Sequence, residues 1–186
     1  MPILGTVASA ISGNLDSSAY FPIAITTLAT STASITFSSI PATYKHLQVR
    51  ALIRTDRATT YDYPAIRFNS DSGANYVVHY MEGNGSTVSQ GTQTGMTYIG
   101  LNEIAGGNAT ANIFGVSILD ILDYTNTNKN TTTRVLGGYN LNGTGVMTLR
   151  SGLWLNTAAI TTLTIIPATG PNFVQYSAFT LYGITG

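Results

Sequence analysis

Hydrophobic and polar residues alternate along most of the chain, the pattern of strands with one face in a core. In the segment HLQVRALIR, every second residue from Leu47 to Ile53 is apolar, and Leu52 alone breaks the alternation. About ten further segments have similar patterns, so we predict an all-β protein with about eleven strands. These strands are predicted to start near Tyr20, Ala33, His46, Tyr63, Asn75, Met96, Asn112, Thr132, Val146, Ile160 and Phe173.

The breaks between the predicted strands are rich in Gly, Asn, Asp and Ser, which accept a positive φ or hydrogen-bond a turn through a side chain. The clearest are at 69–75, 82–86, 105–109 and 142–145, and we predict hairpin loops there. We find no convincing amphipathic helix, fixed repeat or linker. The expected fold is an antiparallel two-sheet β-sandwich of the jelly-roll type.

The first segment, MPILGTVASAISGNL, has no basic residue, and polar residues and Gly5 interrupt its apolar run, so we do not expect a signal peptide. Its apolar side chains would be unfavourable in water and are expected to contact a partner surface. We therefore predict an N-terminal attachment arm or edge segment at 1–15 and a single jelly-roll-like sandwich domain at 16–186. The predicted assembly interface in the arm consists of Ile3, Leu4, Val7, Ile11 and Leu15.

Charge is scarce in this sequence: 9% of residues are charged, and eight basic residues balance eight acidic ones. An average soluble domain has about 25% charged residues, so this surface is expected to consist mainly of hydroxyls and amides. Zero net charge argues against nucleic acid as a partner. No apolar run is long enough to span a membrane. The chain has no cysteine, which excludes disulfides and thiolate metal sites.

Five of the eight basic residues fall in one segment, together with Asp56 and Asp62. We interpret them as strand-edge charges that pair at the surface, an arrangement that is common and individually weak. The five are Lys45, Arg50, Arg54, Arg57 and Arg67.

Catalytic patterns are weak. Neither His46 nor His79 lies near a nucleophile motif, so both are interpreted as structural. Asp120 and Asp123 are the most suggestive acid pair, but Asp123 is explained by capping a turn. No acid-rich calcium loop or phosphate-binding glycine loop occurs. We predict a protein that is not an enzyme, with no catalytic residue, cofactor or metal.

Carbohydrate binding is a separate possibility, because sugars stack on aromatic faces among amide and hydroxyl groups. The candidate residues are Tyr61, Tyr63, Tyr98 and Trp154. Trp154 lies between two leucines and is interpreted as a core or interface anchor. The mixed-charge segment RTDRATTYDYP is predicted to expose its tyrosines. We therefore name Arg57, Tyr61 and Tyr63 as a possible ligand loop.

Five segments together resemble a group of small structural proteins of tailed bacteriophages, notably phages of aquatic and marine bacteria, including cyanobacteria. The segments are MPILGTVASAISGNL, SITFSSIPATYKHLQVRALIR, FNSDSGANYVVHYMEGNGS, VSILDILDYTNTNKNTTTRVLGGYN and YSAFTLYGITG. The resemblance covers nearly the whole chain and includes no catalytic motif. It implies a virion component, either a capsid decoration (cement) protein or a tail adhesin.

We therefore expect a decoration protein that is made in the host cytoplasm and stabilises the capsid exterior. It is expected to form a homo-oligomer, most simply a trimer, and to contact the major capsid protein or other virion proteins. The alternative is the head of a tail fibre or adhesin that recognises host surface glycans through the loop from Arg57 to Tyr63. Neither function involves nucleic acid or a membrane.

Overall fold

The computed structural model of the protein describes residues 19–186, which contain fourteen strands and no helix. The predicted arm at 1–15, with Ile3, Leu4, Val7, Ile11 and Leu15, lies outside the described residues. The strands are β1 (Tyr20–Thr27), β2 (Ile35–Phe37), β3 (His46–Ile53), β4 (Tyr61–Asp62), β5 (Pro64–Phe68), β6 (Tyr76–Gly83), β7 (Val88–Met96), β8 (Ile99–Gly100), β9 (Ile104–Ala105), β10 (Gly115–Leu122), β11 (Thr131–Asn140), β12 (Gly145–Trp154), β13 (Leu163–Pro167) and β14 (Ala178–Ile184).

The strands form three antiparallel sheets of very different width. The largest has eight strands in the order β1-β14-β3-β10-β11-β12-β6-β7. The second has four strands in the order β2-β13-β5-β8, and β4 pairs with β9 in a short third sheet. The strands β10, β11 and β12 follow one another as a meander in the middle of the large sheet.

The two larger sheets enclose one hydrophobic core, to which β3, β10 and β14 contribute from the large sheet and β2, β5 and β13 from the small one. The rings of Phe68 on β5 and Trp154 on β12 meet edge to face, with centroids 5.4 Å apart. Trp154 is 1% exposed, and its indole N–H donates to the Asp71 carboxylate at 2.7 Å. Its buried position follows from this pairing, because an indole N–H needs an acceptor once it leaves water.

The sequence-based fold class is confirmed as an all-β antiparallel sandwich, whereas the jelly-roll topology stays a prediction. Each of the eleven predicted strands overlaps a strand of the structure, and β4, β7 and β9 were not predicted. The last predicted strand was too long. It begins at Ala178 and not at Phe173, because Tyr176 adopts a φ of 71° that interrupts an extended chain.

The predicted turns lie where the sequence placed them, but only those at 82–86 and 142–145 are hairpin loops. The loops at 69–75 and 105–109 connect strands of different sheets, so the hairpin prediction was wrong there. In the loop after β5, Asn69 and Ser70 have φ values of 49° and 59°. In the hairpin between β11 and β12, Asn142 and Gly143 have φ values of 59° and 123°. These are the left-handed conformations that Asn and Gly tolerate best.

Candidate functional site

The outer face of the eight-stranded sheet has an exposed apolar patch. The register places Leu52 opposite Val116, and places Leu149 between Leu136 and Met81. Six side chains that are 44–68% exposed form this outer patch: Leu52, Met81, Val116, Leu136, Met147 and Leu149. Together they expose roughly 500 Å², within the range of about 300–600 Å² for the largest patch on a monomer, which is often functional.

A row of hydrogen-bonded polar residues borders the outer patch. The Asp120 carboxylate accepts a hydrogen bond from Gln48 at 2.6 Å and one from Arg134 at 2.6 Å. Beside it, the guanidinium of Arg50 lies over the rings of Tyr20 and Tyr182, at 5.1 and 5.2 Å. The charges on this side of the sheet are therefore already paired or stacked within the chain.

The suspected acid pair, Asp120 and Asp123, is divided between two separate sets of contacts. Asp120 is in the buried contacts above, whereas Asp123 lies in the following turn with a φ of 49°. Ion pairs with Lys129 and Lys45 lower the pKa of Asp123 to about 2. The backbone N–H of Asp123 donates to His46 Nδ1 at 2.9 Å, a structural role that agrees with the interpretation of this histidine.

The interpretation of His79 as structural also agrees with its contacts. Its Nδ1 lies 3.0 Å from the Thr92 hydroxyl on the neighbouring strand β7. This is a cross-strand hydrogen bond on the exposed face of the sheet.

The possible ligand loop is packed more tightly than the sequence predicted. Arg57 lies over the Tyr61 ring at 5.7 Å and forms an ion pair of 3.5 Å with the fully buried Asp62. Tyr61 is 38% exposed, as expected, but Tyr63 is half-buried and donates its hydroxyl to Glu103 at 2.6 Å. The expectation that Tyr63 is exposed was wrong, because its hydroxyl finds a buried carboxylate.

Arg54 holds the neighbouring loop, which was predicted as the turn at 105–109. Its guanidinium donates to four backbone carbonyls, those of Gly107, Ala109, Thr110 and Ile113. The prediction of surface charge pairs was therefore wrong for Arg54, since backbone oxygens and not carboxylates accept its hydrogen bonds. A Cβ on Gly106 would lie 2.4 Å from the Thr59 carbonyl oxygen, so this close approach requires glycine.

An open cavity of about 190 Å³ lies beside Tyr63, at the edge of the sandwich. We call it the Arg150 cavity. Strands β6, β7, β8 and β12 supply most of its lining, together with the segments around residues 63, 98 and 168. The lining residues are Tyr63, Tyr80, Glu82, Gln93, Met96, Tyr98, Gly100, Arg150, Ala168 and Thr169.

Arg150 is the central charged group of this cavity and is only 5% exposed. Its guanidinium carbon lies 5.3 Å from the Tyr63 ring centre and 5.2 Å from that of Tyr80. One terminal nitrogen donates to Glu82 at 2.5 Å, and the other is 3.4 Å from the Gly100 carbonyl oxygen. Two aromatic faces and one carboxylate therefore stabilise the buried cation.

A second carboxylate lies next to this ion pair. Glu103 is 9% exposed, and burial raises its pKa, an effect that the nearby charge of Glu82 increases. Burial and the Glu103 carboxylate raise the pKa of Tyr139 to about 12. Glu82 and Glu103 both line a smaller cavity of about 140 Å³, and Glu82 also lines the Arg150 cavity, so this one side chain borders both spaces.

Buried amide contacts fix the strand segment next to Glu103. Asn102 is fully buried and donates to the carbonyls of Glu103 and Val116, at 2.7 and 2.9 Å. The Ser117 hydroxyl donates to the Asn102 side-chain oxygen at 2.5 Å. A Cβ on Gly137 would lie 2.3 Å from that oxygen, so glycine is required opposite this network.

The sequence candidates for sugar contact separate into two groups. Tyr63 and Tyr98 line the Arg150 cavity, whereas Tyr61 is not among its lining residues and Trp154 is part of the core, as interpreted. Sequence reasoning missed Arg150. One signal was available: Arg150 lies in phase with Trp154 along β12, which places it on the inward face.

A scan against protein-family models finds no family that matches this chain, and a search of curated proteins finds no match. Within residues 19–186, no cluster of three or more His, Asp or Glu residues is placed to hold a metal ion. In the same part of the chain, no helix is long and apolar enough to cross a bilayer.

Proposed function

We propose that the protein is a structural component of a tailed-phage virion that decorates the capsid exterior as a homo-oligomer and stabilises the particle. The observation that supports this proposal is the outer patch. Six exposed aliphatic side chains lie next to one another on a wide, regular sheet, and the adjoining charges are already paired. Burial of such a face against protein releases apolar surface from water and desolvates little charge.

The size of the outer patch suits a second copy of this chain. A standard interface takes about 800 Å² from each partner, of which somewhat more than half is apolar. The roughly 500 Å² of the patch supplies that apolar share. In the proposed trimer, the patch of each subunit contacts a different surface of the next, as closed cyclic symmetry requires for three copies.

Residues 1–15 are the proposed attachment arm for the major capsid protein. Their apolar side chains Ile3, Leu4, Val7, Ile11 and Leu15 would bind a capsid groove or extend a capsid sheet edge. Because this contact is apolar, binding is expected to depend only weakly on salt.

Binding of the purified protein to capsids that lack it tests the attachment proposal. The full chain is expected to co-sediment with the capsids, and a variant without residues 1–15 is expected to remain in the supernatant while its circular dichroism is unchanged. Full-strength binding by the truncated variant would overturn the role of the arm. Binding to tails and not to capsids would favour the alternative, an adhesin that recognises host glycans.

A further inference from the structure

The Arg150 cavity has a composition that none of the assembly contacts explains. Three tyrosines line it, together with an amide at Gln93 and a hydroxyl at Thr169. Its lining therefore combines flat apolar faces with groups that donate and accept hydrogen bonds. Ligand sites generally have this composition, with apolar and aromatic walls and a few placed polar groups.

Among the three tyrosines of the cavity, Tyr98 has the ring that is available to stack on a ligand. The rings of Tyr63 and Tyr80 already face the Arg150 guanidinium. Tyr98 is half-buried and lines the cavity, and within residues 19–186 no aromatic ring or cation stacks on it. An aromatic face of this kind suits the C–H face of a sugar ring, which is apolar, while hydroxyls at the ring edge reach polar neighbours.

The charges of the cavity select against anionic ligands. Arg150 would attract an anion, but its ion pair with Glu82 already satisfies one terminal nitrogen at 2.5 Å. Glu103 is close enough to Glu82 for the two charges to interact, so an acidic ligand would also meet repulsion. An uncharged ligand with several hydroxyls avoids this repulsion.

The volume sets the size of the ligand. Pockets that enclose drug-sized molecules measure about 300–1,000 Å³. The Arg150 cavity, at about 190 Å³, is smaller and open to solvent, so it fits one ring with its substituents and leaves the rest of a chain outside.

We propose that the Arg150 cavity binds a neutral, terminal sugar residue of a glycan, with stacking on Tyr98 and hydrogen bonds to Gln93 and Glu82. This binding function is independent of the capsid attachment proposed above, because it needs neither the arm nor the outer patch. The proposed contact with a glycan therefore lies in the Arg150 cavity, which Tyr63 lines, and not at the exposed ring of Tyr61.

Titration of the full-length protein with single sugars, followed by ¹H–¹⁵N chemical shifts, tests this proposal. The neutral probes are glucose, galactose, mannose and N-acetylglucosamine, and the acidic probes are glucuronate and N-acetylneuraminate. At least one neutral sugar is expected to shift amides of β6, β7 and β12, at millimolar concentration. The acidic sugars are expected to bind at least tenfold more weakly.

Substitutions of cavity residues test whether the sugar binds in the Arg150 cavity. Tyr98→Ala and Gln93→Ala are each expected to weaken binding at least tenfold, whereas Tyr98→Phe keeps the ring and retains most of the affinity. Tyr176→Ala is the matched control, because this tyrosine is 67% exposed and lies outside the cavity. The proposal is overturned if none of the neutral sugars binds, if acidic sugars bind more tightly, or if Tyr98→Ala binds as well as the control.

Discussion

Arg150 on β12 and Glu82 on β6 form an ion pair of 2.5 Å in which the arginine side chain is 5% exposed and the glutamate side chain 14%. The pair joins two neighbouring strands of the large sheet at the point where the small sheet ends. Because both groups have left water, each depends on the other for compensation of its charge.

Loss of one partner is therefore expected to be severe. Arg150→Met should lower the free energy of unfolding by about 3–5 kcal/mol, since it leaves Glu82 buried and unpaired. Urea denaturation measures this. Lys129→Met is the control, because the Lys129 side chain is 53% exposed and its partner Asp123 keeps a second ion pair with Lys45, so its loss is expected to change stability by less than about 1 kcal/mol.

The double variant Glu82→Gln/Arg150→Met distinguishes two costs of losing Arg150: the unpaired charge of Glu82 and the lost packing of the arginine side chain. It is expected to be more stable than Arg150→Met alone, because no uncompensated charge is left in the sheet. Equal stability of the single and double variants would contradict a role for Glu82 in stabilising the arginine.

The Arg150 site illustrates how far the sequence predicted the structure. Alternation located most of the strands that contribute to the core, since a buried face with a period of two is visible in strands such as β11 and β12. Alternation also places Arg150 in phase with Trp154, but the burial of Arg150 was not predicted, because an arginine in a strand ordinarily faces water. The partners that make burial possible, Tyr63, Tyr80 and Glu82, come from segments distant along the chain.

The missed strands have a similar cause. The sequence of β7 is VSQGTQTGM, and all but two of its residues are exposed, so it shows no apolar alternation. Pairing with β6 makes it a strand. A Cβ on Gly91 would lie 2.7 Å from the Tyr80 hydroxyl oxygen, so this edge also accommodates a side chain of the cavity. Both the pairing of β7 and the contact at Gly91 depend on tertiary structure, which the local sequence pattern does not show.

Burial of Glu103 predicts a pH dependence of stability. Because burial raises its pKa in the folded state above the ordinary value of 4.5, the unfolded chain loses this proton first as pH rises. The contribution of Glu103 to stability is therefore complete below about pH 4 and declines as pH rises through the folded-state pKa. The free energy of unfolding of Glu103→Gln, relative to that of the unmutated protein, should therefore increase as pH rises from about 4 to 7.

Asp123→Asn is the comparison variant. Its lysine partners lower the pKa of Asp123 to about 2, so its contribution is complete above pH 3.8 and is lost as pH falls toward 2. The effect of this variant should be constant between about pH 4 and 7. If Glu103→Gln also showed a constant effect, Glu103 would not have the raised pKa inferred from its burial.

Arg54 is expected to control the order of the loop that follows β9. Arg54→Met removes the donor to four carbonyls, so the loop should open more often. Hydrogen exchange at the amides of Gly106, Gly107 and Asn108 should accelerate at least tenfold. Arg67→Met, which removes a single bond to the Thr97 carbonyl, should leave these amides unchanged.

The outer patch predicts self-association. Leu136→Glu puts a charge into the centre of the patch and should shift the protein from oligomer to monomer in sedimentation velocity, with its thermal unfolding unchanged. Thr132→Glu is the matched control, because Thr132 is exposed on the same face of β11 but lies outside the patch. The same sedimentation for both variants would mean that the patch is not an interface between copies.

Cryo-electron microscopy of intact virions tests the proposed capsid decoration most directly. We expect density for the sandwich in oligomeric clusters over the capsid lattice, with the outer patch covered and the N-terminal segment against the major capsid protein. Density confined to the tail, or clusters in which the outer patch faces solvent, would contradict this expectation.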